Sequence, residues 1–224
     1  MKIFNRCSLA LLLLAPAVRP QVAVEANKQY QTPEGRAQVA KSLSDPHREQ
    51  QLKPRELVAM LEIQPGSTVI DVGTGIGFML PYLSEAVGPH GRVIAEDIAA
   101  DFLEKAKARI QENHLANVST IHGAERDPKL PQGQADLVFM LDVYHHFNYP
   151  AEMLAHIGRA LKPGGRLAIA DFYKNKRGPQ DKDMSHHIRI DRDGVIKELE
   201  ENGYKLISYQ DHSTSTYVLL FQKR

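Results

Sequence analysis

The segment Val69-Ile70-Asp71-Val72-Gly73-Thr74-Gly75-Ile76-Gly77-Phe78 joins an apolar, β-branched run to three glycines at alternate positions, and Met79-Leu80-Pro81-Tyr82-Leu83 continues it with helical character. β-Branched side chains favour extended backbone, and glycine permits the sharp turn that must follow. Strand, glycine turn and helix, in that order, are how a parallel sheet holds a nucleotide-like ligand: the turn admits the ligand close to the backbone, and the helix start offers free N–H groups. A dinucleotide fingerprint needs its third glycine at position 78, where this chain has Phe78. The spacing therefore argues against a dehydrogenase.

Outward from this turn the same alternation recurs. Thr68 to Val72 reads as the first strand, Arg92 to Asp97 as the second and Val118 to Ile121 as the third, with an amphipathic helix over Asp101 to Asn113. Leu137-Val138-Phe139-Met140-Leu141 is a continuous apolar run, as expected of a strand covered on both faces. A helix over Ala151 to Leu161 is closed by the turn Lys162-Pro163-Gly164-Gly165, and Leu167 to Ala170 forms the fifth strand. A helix from Asp193 to Asn202 leads to Tyr204–Tyr209 and Thr216–Phe221, close enough together for an antiparallel pair. Upstream, Arg36 to Ser44 and Arg55 to Leu61 carry short helical patterns. The fold class is α/β: a Rossmann-like three-layer sandwich on a mostly parallel sheet.

The motif Asp71-x-Gly73-x-Gly75-x-Gly77, with Asp97 about 20 residues on and Lys162-Pro163-Gly164-Gly165 before the fifth strand, resembles class I S-adenosylmethionine-dependent methyltransferases. The resemblance covers roughly residues 53–172 and more loosely the remainder. It implies a seven-stranded sheet whose last strand runs antiparallel, S-adenosylmethionine as cofactor, and direct methyl transfer to an O, N, S or C nucleophile. It also implies that Asp71, Gly73, Thr74, Gly75 and Gly77 surround the methionine end, Asp71 meeting the amino group. Asp97 aligns with the acid that binds the ribose hydroxyls. Glu96 is the alternative, and strand alternation predicts that only one of the two reaches the sugar. Many relatives hold the adenine amino group with an acid where this chain has Ala124, so Glu125, backbone groups alone, or Asp127 are the candidates there.

Ligands of open α/β sheets sit beyond the carboxyl ends of the strands. Asp142, Tyr144 and His145, just past the fourth strand, are thus the candidates for the cofactor's far edge and the acceptor, with Tyr144 and His145 as catalytic residues. His146 reads as part of the structural connection. His186-His187 lies in a polar segment and reads as a solvated lid rather than a metal pair, so no metal site is expected. Asn27 to Pro54 and Phe172 to Arg192, Arg189 included, are expected to close over the acceptor.

Composition sets the remaining bounds. The chain has 224 residues, 42% hydrophobic and 25% charged, with a formal net charge of +1, so nucleic acid is disfavoured as a partner and a small-molecule acceptor is expected. Lys2 and Arg6 precede the apolar run Leu9 to Val18, which has the pattern of a secretory leader and is shorter than the roughly 20 residues that span a bilayer. Ala15-Pro16-Ala17 and Val24-Glu25-Ala26 both fit a cleavage site. The expectation is an exported protein with a leader over 1–26, an N-terminal segment over 27–52 and the catalytic domain over 53–224; an uncut tail on a cytoplasmic enzyme is the alternative. The only cysteine, Cys7, lies in the leader, so the mature chain lacks disulfides, thiolate chemistry and zinc–sulfur sites. Two other readings stand beside the leading one. Asp142 and Asp171 end strands where a metal-dependent O-methyltransferase places its ion, although Phe172 replaces the usual asparagine; and the same fold serves as a binding module without turnover.

Overall fold

The computed structural model describes residues 21–176 and 183–224; most of the leader, and part of the Phe172 to Arg192 segment expected to cover the acceptor, lie outside them. Three short helices come first, α1 (Pro33–Leu43), α2 (Arg48–Leu52) and α3 (Pro54–Met60). Strands and helices then alternate as β1 (Thr68–Val72), α4 (Leu80–Val87), β2 (Arg92–Asp97), α5 (Ala100–Glu112) and β3 (Val118–His122). The second half comprises β4 (Ala135–Leu141), α6 (Pro150–Ala160), β5 (Leu161–Phe172), α7 (Arg192–Glu201), β6 (Tyr204–Asp211) and β7 (Thr216–Lys223).

The sheet has seven strands in the order β3-β2-β1-β4-β5-β7-β6. Neighbours from β3 to β5 pair in parallel, while β7 runs antiparallel to both β5 and β6. Alternation along each strand divides the core into two layers. Ile70, Val138, Met140, Leu167 and Ile169 face α6 and α7, packing with Leu154, Ile157, Val195 and Leu199. Val69, Leu137, Phe139, Ala168 and Ala170 face the other way, onto Leu57, Leu80, Leu83 and Val87 of α3 and α4 and onto Leu61 just past α3. Each strand side chain thus leaves water on one face or the other, which is why β4 is apolar at successive positions.

The Lys162–Gly165 turn is absorbed into β5. Leu161 pairs with Ala135 and Arg166 with Leu137, so residues 162–165 bulge out opposite a single residue of β4, helped by the positive φ of Gly164 (80°). Among the described residues, no helix is long and apolar enough to cross a membrane.

The N-terminal helices decide the shape of the site. Arg36 of α1 donates to Asp101 of α5 at 2.8 Å, and Ala40 packs with Ile76 and Phe102. Leu52 of α2 packs with Phe172, Met184 and Ile188. Residues 27–52 therefore lie across the carboxyl ends of the strands.

Candidate functional site

β1, β2 and β4 end at one edge of the sheet, and beneath α1 and α2 that edge encloses a cavity of about 560 Å³. The strand order reverses between β1 and β4, so the crevice sits at the switch point of the topology. Its floor is the glycine turn. Gly73, Gly75 and Gly77 all have positive φ (69°, 57° and 78°). A Cβ on Gly73 would meet Val143 at 2.6 Å and one on Gly77 would meet Leu80 at 2.8 Å, whereas at Gly75 the nearest atom is Leu43 Cδ1 of the covering helix at 3.3 Å. Gly75 is thus the glycine whose missing side chain leaves the cavity open.

Several carboxylates reach the lining. Asp71 accepts from the Thr74 hydroxyl at 2.7 Å, and burial raises its pKa to about 7, only partly offset by that bond. Asp97 accepts from the backbone N–H of Gly75 and of Ala99, each at 2.8 Å, tying β2 to the glycine turn; burial raises its pKa against those bonds. Glu96 reaches the Gly73 N–H at 3.4 Å with one oxygen, while the other, Oε1, is buried without a hydrogen-bond partner among the described residues. Burial first and the Asp97 charge second push the Glu96 carboxyl well above its ordinary range. Asp142 also lines the cavity and holds a positive φ of 60°, a conformation unusual outside glycine. Arg36 and Arg48 are the cations of the lining. Arg48 Nη2 approaches Asp142 at 3.9 Å, its guanidinium lies over the Phe78 ring, and burial lowers its pKa. Tyr30 closes the roof, its hydroxyl pKa raised by burial and then by Asp142 and Asp97.

Residues 70–167 match the family model described as methyltransferase domain. The crystal structure of a SAM-dependent methyltransferase from Aquifex aeolicus superimposes with a TM-score of 0.76 and 29% identity, covering 82% of this chain and 96% of that one. A demethylmenaquinone methyltransferase of Listeria welshimeri is 29% identical over 117 residues, 52% of this chain and 50% of that protein. An arsenite methyltransferase of Halobacterium salinarum is 30% identical over 131 residues, 58% of this chain and 33% of that protein. The chain thus spans half or less of the curated relatives it matches. Residues 70–167 are a methyltransferase domain, on the fold of a SAM-dependent methyltransferase.

Within the methyltransferase domain, Asp71, Gly73, Thr74, Gly75, Asp97, Glu125 and Asp142 all line the cavity. Gly77 stands just behind it, where its missing Cβ lets the turn pack on Leu80 and Ala106. Glu96 and Asp97 both line the cavity: β2 ends at Asp97, and the long Glu96 side chain folds back to Gly73. Glu125 accepts from Asn148 at 2.7 Å and Gln21 at 3.1 Å, whereas Asp127 turns away to His156 at 3.0 Å and leaves the lining.

The two catalytic candidates, Tyr144 and His145, do not line the cavity. Tyr144 is fully buried in the core under α6 and α7, and its hydroxyl donates to Glu198 at 2.7 Å. Burial, then the Glu198 charge, drives its pKa well up. His145 is buried too, its ring fixed by Asp171 at 2.8 Å, and that carboxylate raises its pKa despite the opposing effect of burial. The short 3-10 turn Tyr144–His146 swings these two side chains inward and brings His146 to the cavity instead. Burial holds His146 well below the ordinary histidine pKa, with the neighbouring His145 and His187 adding to the effect. Tyr30 and Arg48 of the lining come from the segment expected to cover the acceptor, whereas no motif or spacing marked Phe102 and Asn148. Arg189 pairs with Glu198 at 2.7 Å and does not line the cavity.

Proposed function

We propose that this protein binds S-adenosylmethionine in the cavity and transfers its methyl group to a small-molecule acceptor. The observation that carries the reading is the gathering of four carboxylates, Asp71, Glu96, Asp97 and Asp142, around the glycine turn with only Arg36 and Arg48 as opposing cations. The cofactor has a sulfonium and an ammonium group, and a crevice this rich in carboxylates offsets both. Asp71 would meet the ammonium group, Asp97 and Glu96 the ribose hydroxyls, and Glu125 with Asn148 the adenine edge. Gly75 leaves the backbone open to the methionine carboxylate.

The chemistry then asks for alignment. The acceptor's lone pair forms a bond to the methyl carbon as the carbon–sulfur bond breaks, its electron pair returning to sulfur. Helices α1 and α2 roof the cavity and exclude water, and the residues past β4, Asp142 and His146, stand where an acceptor enters. A volume of about 560 Å³ suits a cofactor and a small second ligand. The names of the two curated relatives, demethylmenaquinone and arsenite methyltransferase, also point to small acceptors.

Titration calorimetry with S-adenosylmethionine tests the reading. Wild-type chain is expected to bind, and Gly75→Val, folded by circular dichroism, is expected to lose binding, because the new side chain enters the cavity against Leu43 at a φ of 57°. Absence of wild-type binding at millimolar cofactor would sink the proposal.

Export is part of the same reading and rests on Lys2, Arg6 and the apolar run that follows. Ala23 donates its N–H to the Asn148 side chain at 3.0 Å and Asn27 bonds His146, so a cut after Ala17 preserves both anchors and a cut after Ala26 removes the first. N-terminal sequencing of the native protein after cell fractionation decides between them and the uncut cytoplasmic alternative.

A further inference from the structure

Three histidine rings meet beside the acceptor end of the cavity. His145 and His146 follow β4, and His187 arrives from the segment before α7, bringing one ring nitrogen of each within 4.8 Å of the others. His145 Nε2 and His187 Nε2 are 3.2 Å apart. Two imidazoles bound to one tetrahedral zinc-type ion, with metal–nitrogen bonds of ~2.0–2.1 Å, have their nitrogens ~3.3 Å apart by the geometry of the tetrahedron. Asp142 Oδ1 stands 3.9 Å from the same His145 nitrogen.

The hydrogen bonds around two of the rings suit ligation. Asp171 accepts from the backbone N–H of Phe172 at 2.8 Å and of His145 at 3.3 Å, and its oxygens lie 2.8 and 3.0 Å from His145 Nδ1. Facing an acceptor, His145 Nδ1 carries the proton. Asn27 donates its amide NH₂ to the His146 carbonyl at 2.8 Å, which turns its Oδ1 toward His146 Nδ1 at 3.0 Å. That nitrogen is then a donor as well. Both rings are held by oxygen acceptors at Nδ1, and in the neutral ring the lone pair falls on Nε2, the arrangement that orients histidine ligands.

We propose that His145, His146 and His187 bind a divalent transition-metal ion of the zinc type, with Asp171 orienting His145 and the remaining position opening past Asp142 toward the cavity. Nitrogen donors favour such an ion over magnesium or calcium, which prefer oxygen. Resting on the methyltransferase reading, the ion would hold the acceptor's oxygen or sulfur. The acceptor's proton would pass to Asp142, and the anion's lone pair would form the bond to the methyl carbon as that carbon leaves sulfur.

The test is metal binding by the tag-free full-length chain, using Co²⁺ for its visible absorption and Zn²⁺ for stoichiometry by elemental analysis. About one ion per chain and an intense Co²⁺ band are expected. His187→Ala, on a half-buried loop, is expected to weaken Co²⁺ binding at least ~100-fold and Asp171→Asn ~10–100-fold, while His186→Ala, whose ring is exposed, binds as wild type. S-adenosylmethionine affinity of His187→Ala stays unchanged by calorimetry. A wild-type chain that takes up neither ion, or a His187→Ala variant that binds both as wild type does, overturns the proposal. Metal uptake without cofactor binding would leave the ion site standing and remove the methyltransferase reading; cofactor binding without metal uptake would do the reverse.

Discussion

Cofactor affinity is expected to depend on pH through Asp71. Its carboxyl, buried and bonded to the Thr74 hydroxyl, has its pKa raised to about 7 in the unliganded chain. A cationic ligand prefers the ionised form, so binding must displace the proton below that pH. With a free-state pKa of about 7, Asp71 is ionised in roughly one chain in ten at pH 6 and nine in ten at pH 8, which makes the dissociation constant ~10-fold weaker at the lower pH. At pH 7 binding releases about half a proton from this residue. Calorimetry in phosphate and Tris, buffers of unlike ionisation enthalpy, counts that proton. The ligand's own amino group titrates in a nearby range, so the informative quantity is the difference between wild type and Asp71→Asn, which keeps the Thr74 contact and cannot ionise. If both proteins show the same pH dependence and the same proton count, Asp71 is not the titrating group and the electrostatic account of the cavity is wrong.

Two further outcomes follow from the same structure. Because the folded pKa of Asp71 lies above its unfolded value of 3.8, the unliganded fold binds more protons and loses stability as pH rises from about 4 to 7, by up to about 4 kcal/mol from this group. Glu96 and Asp97, also raised, act in the same direction. Urea midpoints of wild type are therefore expected to fall relative to Asp71→Asn between pH 4.5 and 7.5, and parallel curves would contradict the assignment. Tyr144→Phe deletes the buried bond to Glu198, at a cost of about 1–3 kcal/mol and ~2–10 °C in Tm. Its cofactor affinity and turnover are expected to stay within about twofold of wild type. A large loss of turnover at unchanged Tm would return Tyr144 to the acceptor site.

Strand ends were legible where hydrophobicity and punctuation coincide. Thr68–Val72 and Arg92–Asp97 were readable to the residue because glycine or a turn closes each. The start of β5 was not: proline and two glycines normally end a strand, yet here they bulge out while Leu161 pairs with Ala135. The glycine turn likewise announced the cofactor, since positive φ at three alternate positions needs residues without a Cβ.

Side-chain direction just past β4 is a different kind of information. Tyr144, His145 and His146 are consecutive, and one short 3-10 turn sends the first to Glu198, the second to Asp171 and the third to the cavity. No local periodicity specifies that split; the packing of α6 and α7 beneath the turn does. The sequence alone determined the α/β alternation, the glycine turn and the acids at the ends of β1 and β2, because each depends on residues near one another in the chain. Only the tertiary structure decided that Glu96 shares the crevice with Asp97, and that His187 crosses 42 positions to meet His145. Those contacts join distant segments, and they exist only once the two core layers have brought the strand ends together.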